Sequence, residues 1–217
     1  MYLFKNNKIH DKYVIMINII ACVTPTSLSP STSLAIGRNG DLLFKLKRDM
    51  IYFKNITTEL NRKPTSSDKY LSKNIVLMGR KTYYSIPRKF RPLKDRINIV
   101  LTNDQTLLNS APESEDMYFM TMESFNRIYD IYNPNVFVIG GSEIYNAFLS
   151  KADKLYVTIV KDEKGDNIQF TEENKPDTFI NNFLEEDNYK KIDTSEIFYE
   201  KNSDMKISYT FNIYCLK

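Results

Sequence analysis

The chain has 217 residues, 42% of them hydrophobic and 26% charged, with a formal net charge of +3. That length suits one sizeable core better than two small ones, and the composition excludes a disordered or fibrous chain. Lys and Asp are interleaved throughout, which leaves no basic stripe for nucleic acid, and Cys22 and Cys215 make no disulfide framework and fit a reducing, cytoplasmic setting.

Residues 1–12 read as a polar arm ahead of one domain over 13–217. The run "YVIMINIIACV" imitates a signal peptide, and its "IIAC" a lipoprotein cleavage box. Asn18 interrupts it, however, Asp11 weakens its basic flank, and its β-branched content predicts a buried strand over Tyr13–Val23. No apolar run reaches the roughly 20 residues of a membrane span. The Ser/Thr/Pro segment "TPTSLSPSTS" reads as a surface loop, and "IGRNGD" as a turn leading into a helix. In "DLLFKLKRDMIYF", residues 41–53, Leu46, Met50 and Phe53 form an apolar stripe that also carries Asp49, and the helix fades near Asn61.

After a polar stretch to Ser72, "NIVLMG" predicts a buried strand, "RKTYYSI" a short helix, "RINIVLTND" a strand and turn, and "MYFM" a short strand. "MESFNRIYDIY" puts Met122, Phe125, Ile128 and Ile131 on one helical face; "NVFVIGGSEIYNAFL" is strand, glycine pair and helix, and "KLYVTIV" a further strand. Strands alternating with helices predict a mostly parallel α/β sheet. A charged loop, "KDEKGDNIQFTEENKPD", precedes "KKIDTSEIFYE" and "KISYTFNIYCLK", where Ile207, Tyr209, Phe211, Ile213 and Cys215 alternate and predict an antiparallel hairpin that finishes the sheet.

Two turns carry the chemistry. In "FVIGGSEIY" a strand runs into Gly140-Gly141 and a helix, which is either a pyrophosphate site on a helix N-terminus or simply a tight turn. "LMGRKTYYSI" repeats the arrangement with Arg80, Lys81 and Thr82; as opposite lips of one crevice the two turns would suit an anionic, two-ended cofactor, while Arg80 and Lys81 also read as a solvated basic pair. Asn74 stands where a phosphate-binding P-loop needs glycine, G-x-G-x-x-G is missing, His10 is the single histidine, and no spacing resembles a metal site. Asp49 is left. A carboxylate on an apolar stripe is costly to bury alone, so it either pairs with Lys45 or waits for the cationic or N–H edge of a ligand.

Four stretches in order, "IIACV" with "IGRNGDLLF", "LKRDMIYFKNIT", "NIVLMGRKTYYSIPRKFRPLKDRINIVLT", and "VFVIGGSEIYNAFL" with "LYVTIV", resemble the dihydrofolate reductases, of the eukaryotic type found in fungi and protozoa. The resemblance implies a single domain with an eight-stranded, predominantly parallel sheet, helices on both faces, and an antiparallel C-terminal strand. The reaction implied is hydride transfer from NADPH to dihydrofolate, giving tetrahydrofolate for one-carbon metabolism, at a site that antifolates also occupy. By that resemblance Asp49 holds the amidine-like edge of the pterin and promotes ring protonation, Thr158 supports it, and Arg96 grips the carboxylate of the glutamate tail, for which a planar guanidinium suits a bidentate pair. Ile19, Ile20, Ala21, Leu42, Met50, Phe53, Ile86, Leu93, Ile139 and Tyr145 would wall the substrate pocket. NADPH would lie along Ala21, Ile36, Gly40 and Asp41, then Gly79 to Thr82 (Arg80 and Lys81 between them) and Ser85, Leu101 to Asn103 through Thr102, and Gly140 to Tyr145 through Gly141, Ser142, Glu143 and Ile144.

The chain departs from the family pattern at several points. Leu43-Phe44 replaces a Pro-Trp pair, which puts Phe44, a side chain that cannot donate, at a catalytic position. Asn103 and Asp104 stand where relatives place an arginine near the cofactor's 2′-phosphate, leaving Arg80 and Thr102 for that work. Ala35 replaces a glycine, Tyr83 a tryptophan, and the 24–34 loop is longer than usual. Two alternatives to an active reductase are a pyridine-nucleotide reductase for another pterin or a pyrimidine, and a nucleotide-binding module without catalysis. Protozoan members are often fused to thymidylate synthase, and the polar arm is compatible with a free-standing chain or with such a fusion.

Overall fold

The computed structural model describes residues 16–26, 33–60, 72–132, 135–184, 188–202 and 205–217. The polar arm and the middle of the Ser/Thr/Pro loop lie outside them. The first strand, β1 (Ile17–Pro25), runs two residues past the expected end, and its antiparallel partner β2 (Ser33–Arg38) occupies a stretch expected as loop and turn. Asn39 and Gly40, both at positive φ, join β2 to the short β3 (Asp41–Leu42). Helix α1 (Lys47–Thr58) begins only after this hairpin, with Leu46 as its N-cap.

The parallel part follows as expected, with β4 (Ile75–Gly79), α2 (Arg80–Ser85), β5 (Ile97–Leu101), β6 (Met117–Met120), α4 (Met122–Tyr132), β7 (Val136–Val138), α5 (Ser142–Leu149) and β8 (Lys154–Asp162), except that a short helix the sequence did not predict, α3 (Gln105–Leu108), lies between β5 and β6. The chain ends with β9 (Thr178–Asn181), β10 (Tyr189–Thr194), β11 (Phe198–Asn202) and β12 (Met205–Leu216). The main path of the sheet is eight strands in the order β10-β12-β8-β1-β7-β4-β5-β6. All pairs from β8 to β6 are parallel, and β12 returns antiparallel on β8. The terminal hairpin is β11 with β12, and β9, unexpected from the sequence, pairs with β2 off the main path.

Strands buried on both faces need continuous apolar runs, and β5 is buried at every position. One core layer packs the sheet against α4 and α5 through Phe125, Phe148 and Leu149. The other packs Val76, Met78 and Val100 against Phe53 and Ile56 of α1 and Tyr83 of α2. A third cluster around Phe44, Leu46, Val160 and Tyr209 closes the β8–β12 side. Helix α1 therefore packs on the face of the sheet that carries Val76, Met78 and Val100, and through Asp49 it reaches Thr158 of β8.

Candidate active site

Asp49 sits in the first turn of α1, where the helix dipole favours an acidic side chain. Its Oδ1 accepts a hydrogen bond from Thr158 Oγ1 at 2.5 Å. Burial raises the Asp49 carboxyl above its usual 3.8, and the threonine hydroxyl works against that rise. Lys45, the alternative partner, instead pairs with Asp41 at 2.5 Å. Among the described residues no cation pairs with Asp49. Across from it, Cys22 on β1 lies beside Thr158 in register, and burial, then the charge of Asp49, push its thiol well up. Phe211 pairs with Thr158 from the other side. The stripe read from the sequence is rotated: Asp49 turns inward, while Met50 is 50% exposed.

At the other end of α1, Arg96 is 4% exposed. Its Nη1 donates to Thr57 Oγ1 at 2.7 Å and its Nε to Lys94 O at 2.9 Å, and the guanidinium lies 5.6 Å from the Phe53 ring centroid. Burial pulls its pKa down. Neutral oxygens use two of its donors, and among the described residues no carboxylate pairs with it. The charge of neighbouring Asp95 offsets part of the cost of burial, but a cation this enclosed is costly without a directly paired anion, which suits an anionic ligand. Between the two charges, Ile20, Phe53, Ile86, Leu93 and Ile139 gather on one apolar cluster, the last four only partly buried. Leu42 and Met50, also expected in the pocket wall, are 51% and 50% exposed and are not part of that cluster. One carboxylate, an apolar slot and one guanidinium fit a flat heterocycle with an N–H edge, an aromatic spacer and a distal acid.

The two glycine turns expected on opposite lips are neighbours. β4 pairs directly with β7, and Gly79 N donates to Gly140 O at 2.8 Å, so Gly79 and Gly140 share one continuous lip. A Cβ on Gly141 would lie 3.2 Å from Thr82 Oγ1, and one on Gly79 3.2 Å from Ile144 Cγ1. Neither α2 nor α5 has a side-chain N-cap bond, which leaves backbone N–H groups at both turns. This is a cradle for phosphate oxygens that side chains would fill, and it fits NADPH. Arg80 Nη1 is paired with Asp104 Oδ2 at 2.9 Å, however, and Thr102 Oγ1 accepts from Asp104 N at 3.1 Å.

The other expected residues divide by strand alternation and by hydrogen bonding. Ile19 and Ala21 point to the α4–α5 layer, the face opposite Ile20, and Ile36 packs there too. Phe44, 3% exposed, is core packing in the third cluster, next to Cys22 and Phe211 rather than at a polar contact. Tyr145 is buried against β1 and donates to Ile20 O at 2.8 Å. Ser142 Oγ donates to Phe179 O at 2.5 Å and Ser85 Oγ to Thr82 O at 2.8 Å, so both hydroxyls serve the fold. Lys81, Asn103, Glu143 and Gly40 are exposed, and Leu101 is buried at the end of β5. The sequence reading gave Cys22 and Asn74 no part in the site, did not name Thr57, and did not pair Arg80 with Asp104; each depends on a partner far along the chain, which no local pattern marks.

Comparison with known proteins gives the chain's family. The family model "Dihydrofolate reductase" matches residues 27–215. The chain is similar to the dihydrofolate reductase of Pneumocystis carinii, 38% identical over 137 residues, 60% of this chain and 65% of that one. It is 34% identical to that of Candida albicans over 151 residues, 68% and 70% of the two chains. It is likewise 34% identical to that of Heliothis virescens over 188 residues, 84% and 91% of the two chains.

Proposed function

We propose roles for these side chains on the premise that the chain belongs to the dihydrofolate reductase family, whose reaction is the reduction of 7,8-dihydrofolate to 5,6,7,8-tetrahydrofolate. NADPH, when bound, supplies the hydride; the twin-glycine lip, the Thr82 hydroxyl and the Arg80 guanidinium are the groups that would hold it. The protein's own work is to position, to exclude water and to control a proton.

Asp49 carries the reading. A partly buried carboxylate with one hydroxyl donor and no cation is poised to accept two N–H bonds from the amidine-like edge of a pterin. Burial raises its pKa above the usual carboxylate value, and its reach to the ring edge supports a role in protonation of the ring nitrogen before reduction. Thr158 fixes the carboxylate's direction. Arg96 takes the carboxylate of the glutamate tail, Phe53 and Leu93 clasp the spacer, and Phe44 excludes water without donating to any. The two free cysteines support a reducing, cytoplasmic setting. A reductase for a pterin without a tail leaves the buried Arg96 unexplained.

The test is NADPH oxidation in the presence of dihydrofolate, followed by absorbance. Asp49→Asn is expected to lower kcat roughly 10²- to 10⁴-fold near neutral pH, with the circular dichroism spectrum unchanged. Full activity in that variant removes Asp49 from the mechanism.

A further inference from the structure

Helix α1 ends without a glycine or a basic residue in its last turn, so its final carbonyls need an external donor. Asn74, 1% exposed at the start of β4, supplies it: Nδ2 donates to Thr57 O at 3.1 Å and to Glu59 O at 2.7 Å. Asn74 Oδ1 accepts from Asn135 Nδ2 at 2.9 Å, and Asn135 Oδ1 accepts from Asn18 Nδ2 at 2.9 Å. Three side-chain amides, one in β1 and one each just ahead of the neighbouring β7 and β4, thus run head to tail, each donating to the next, and end on the carboxyl terminus of α1. Such aligned chains polarise one another and hold a single geometry. Thr57, the residue this chain grips, is fully buried and holds Arg96 by its side chain, with Lys94 O as the guanidinium's other partner.

We propose that Asn74 is a positioning residue for recognition of the substrate's carboxylate tail, acting through Thr57 on Arg96, with Asn135 and Asn18 fixing the direction of its amide. The proposal rests on the reading of Arg96 as the tail's partner. Its selectivity follows from distance: Thr57 is eight residues beyond Asp49, about 12 Å along the helix. Loosening this end of α1 therefore disturbs the grip on the tail while the pterin end keeps its Thr158 bond. Asparagine suits the position because it both donates to the carbonyls and accepts from Asn135; aspartate offers no donor and places a charge against two carbonyl oxygens.

Steady-state kinetics with dihydrofolate and with a 7,8-dihydropterin lacking the benzoylglutamate tail test this, together with calorimetric Kd values for folate in the absence of NADPH. For Asn74→Ala we expect KM for dihydrofolate and Kd for folate to rise about tenfold, with kcat, KM for NADPH and turnover of the tailless dihydropterin within about twofold of the parent. Arg96→Gln is the reference: it is expected to lose about a hundredfold in folate affinity, and adding Asn74→Ala to it is expected to cost less than threefold more. If Arg96→Gln affects both substrates alike, the reading of Arg96 fails. If Arg96→Gln is tail-selective while Asn74→Ala spares dihydrofolate or impairs both substrates equally, the positioning role fails. Should Asn74→Ala not fold, Asn135→Ala, which removes the bond that orients the amide, is expected to show the same selectivity at about threefold, and an unselective loss there overturns the proposal.

Discussion

Asp104 shows how a single side chain can oppose the site it borders. One of its oxygens caps α3 by accepting from Thr106 N at 3.0 Å and Leu107 N at 3.4 Å, and the other pairs with Arg80 at 2.9 Å. If Arg80 faces the cofactor's 2′-phosphate, the phosphate meets a guanidinium that is already engaged by an anion. Asp104→Asn keeps the capping oxygen and removes the charge. The pair is partly exposed, so its worth is about 0.2–1 kcal/mol and is screened by salt. We expect KM for NADPH to fall about two- to fivefold in that variant, KM for NADH to stay unchanged, and the difference to shrink in high salt; equal effects on both nucleotides contradict this reading. Asp49 was legible in the sequence because a carboxylate on an apolar stripe is a local anomaly. Asp104, Thr57 and Asn74 were not, since their partners are 24, 39 and 61 residues away along the chain.

At the scale of elements, two glycines separate backbone need from steric need. Gly40, at φ +75°, closes the β2–β3 hairpin with Asn39, and a Cβ there would meet nothing within 4 Å. Gly40→Ala therefore carries only the cost of a left-handed alanine, about 1 kcal/mol, read as a loss of roughly 2–4 °C in Tm. Gly140, at φ +118°, adds crowding: its Cβ would lie 3.2 Å from the Tyr145 ring and 3.5 Å from Thr82 Oγ1. Gly140→Ala is expected to destabilise more and to weaken NADPH binding at least tenfold by calorimetry; matching behaviour of the two variants counts against the lip. The parallel strands were legible because they are continuous apolar runs between turns. β2 was not: "SLAIGR" is short, half of it small residues, and it becomes a strand only because β1 and β9 flank it. β9, with four residues after a charged loop, is likewise made by its partner. The alternation in β12 was legible but incomplete, since Ser208 and Asn212 on the other face are buried as well.

For the molecule as a whole, the site is a liability until it is filled. A carboxylate near one end of α1 and a guanidinium at the other are both partly stripped of water and lack ion-pair partners among the described residues, and removing such charges commonly stabilises a fold at the expense of its function. Because the folded-state pKa of Asp49 lies above its unfolded value of 3.8, the folded chain binds the proton more tightly. The associated stability is fully present below about pH 4, where both states are protonated, and is lost as pH rises through the folded-state pKa and the buried group must ionise. Asp49→Asn has no such loss. Without ligand it should therefore melt above the parent at pH 7, with the two curves converging toward pH 4. Saturating folate reverses the order, because ligand at about a hundred times Kd adds roughly 2.7 kcal/mol to the parent and far less to a variant that has lost the carboxylate's grip. Thermal denaturation at the two pH values, with and without folate, reads all four conditions; a variant that melts lower than the parent at pH 7 without ligand shows that Asp49 stabilises the empty fold and that the burial argument for its role is wrong.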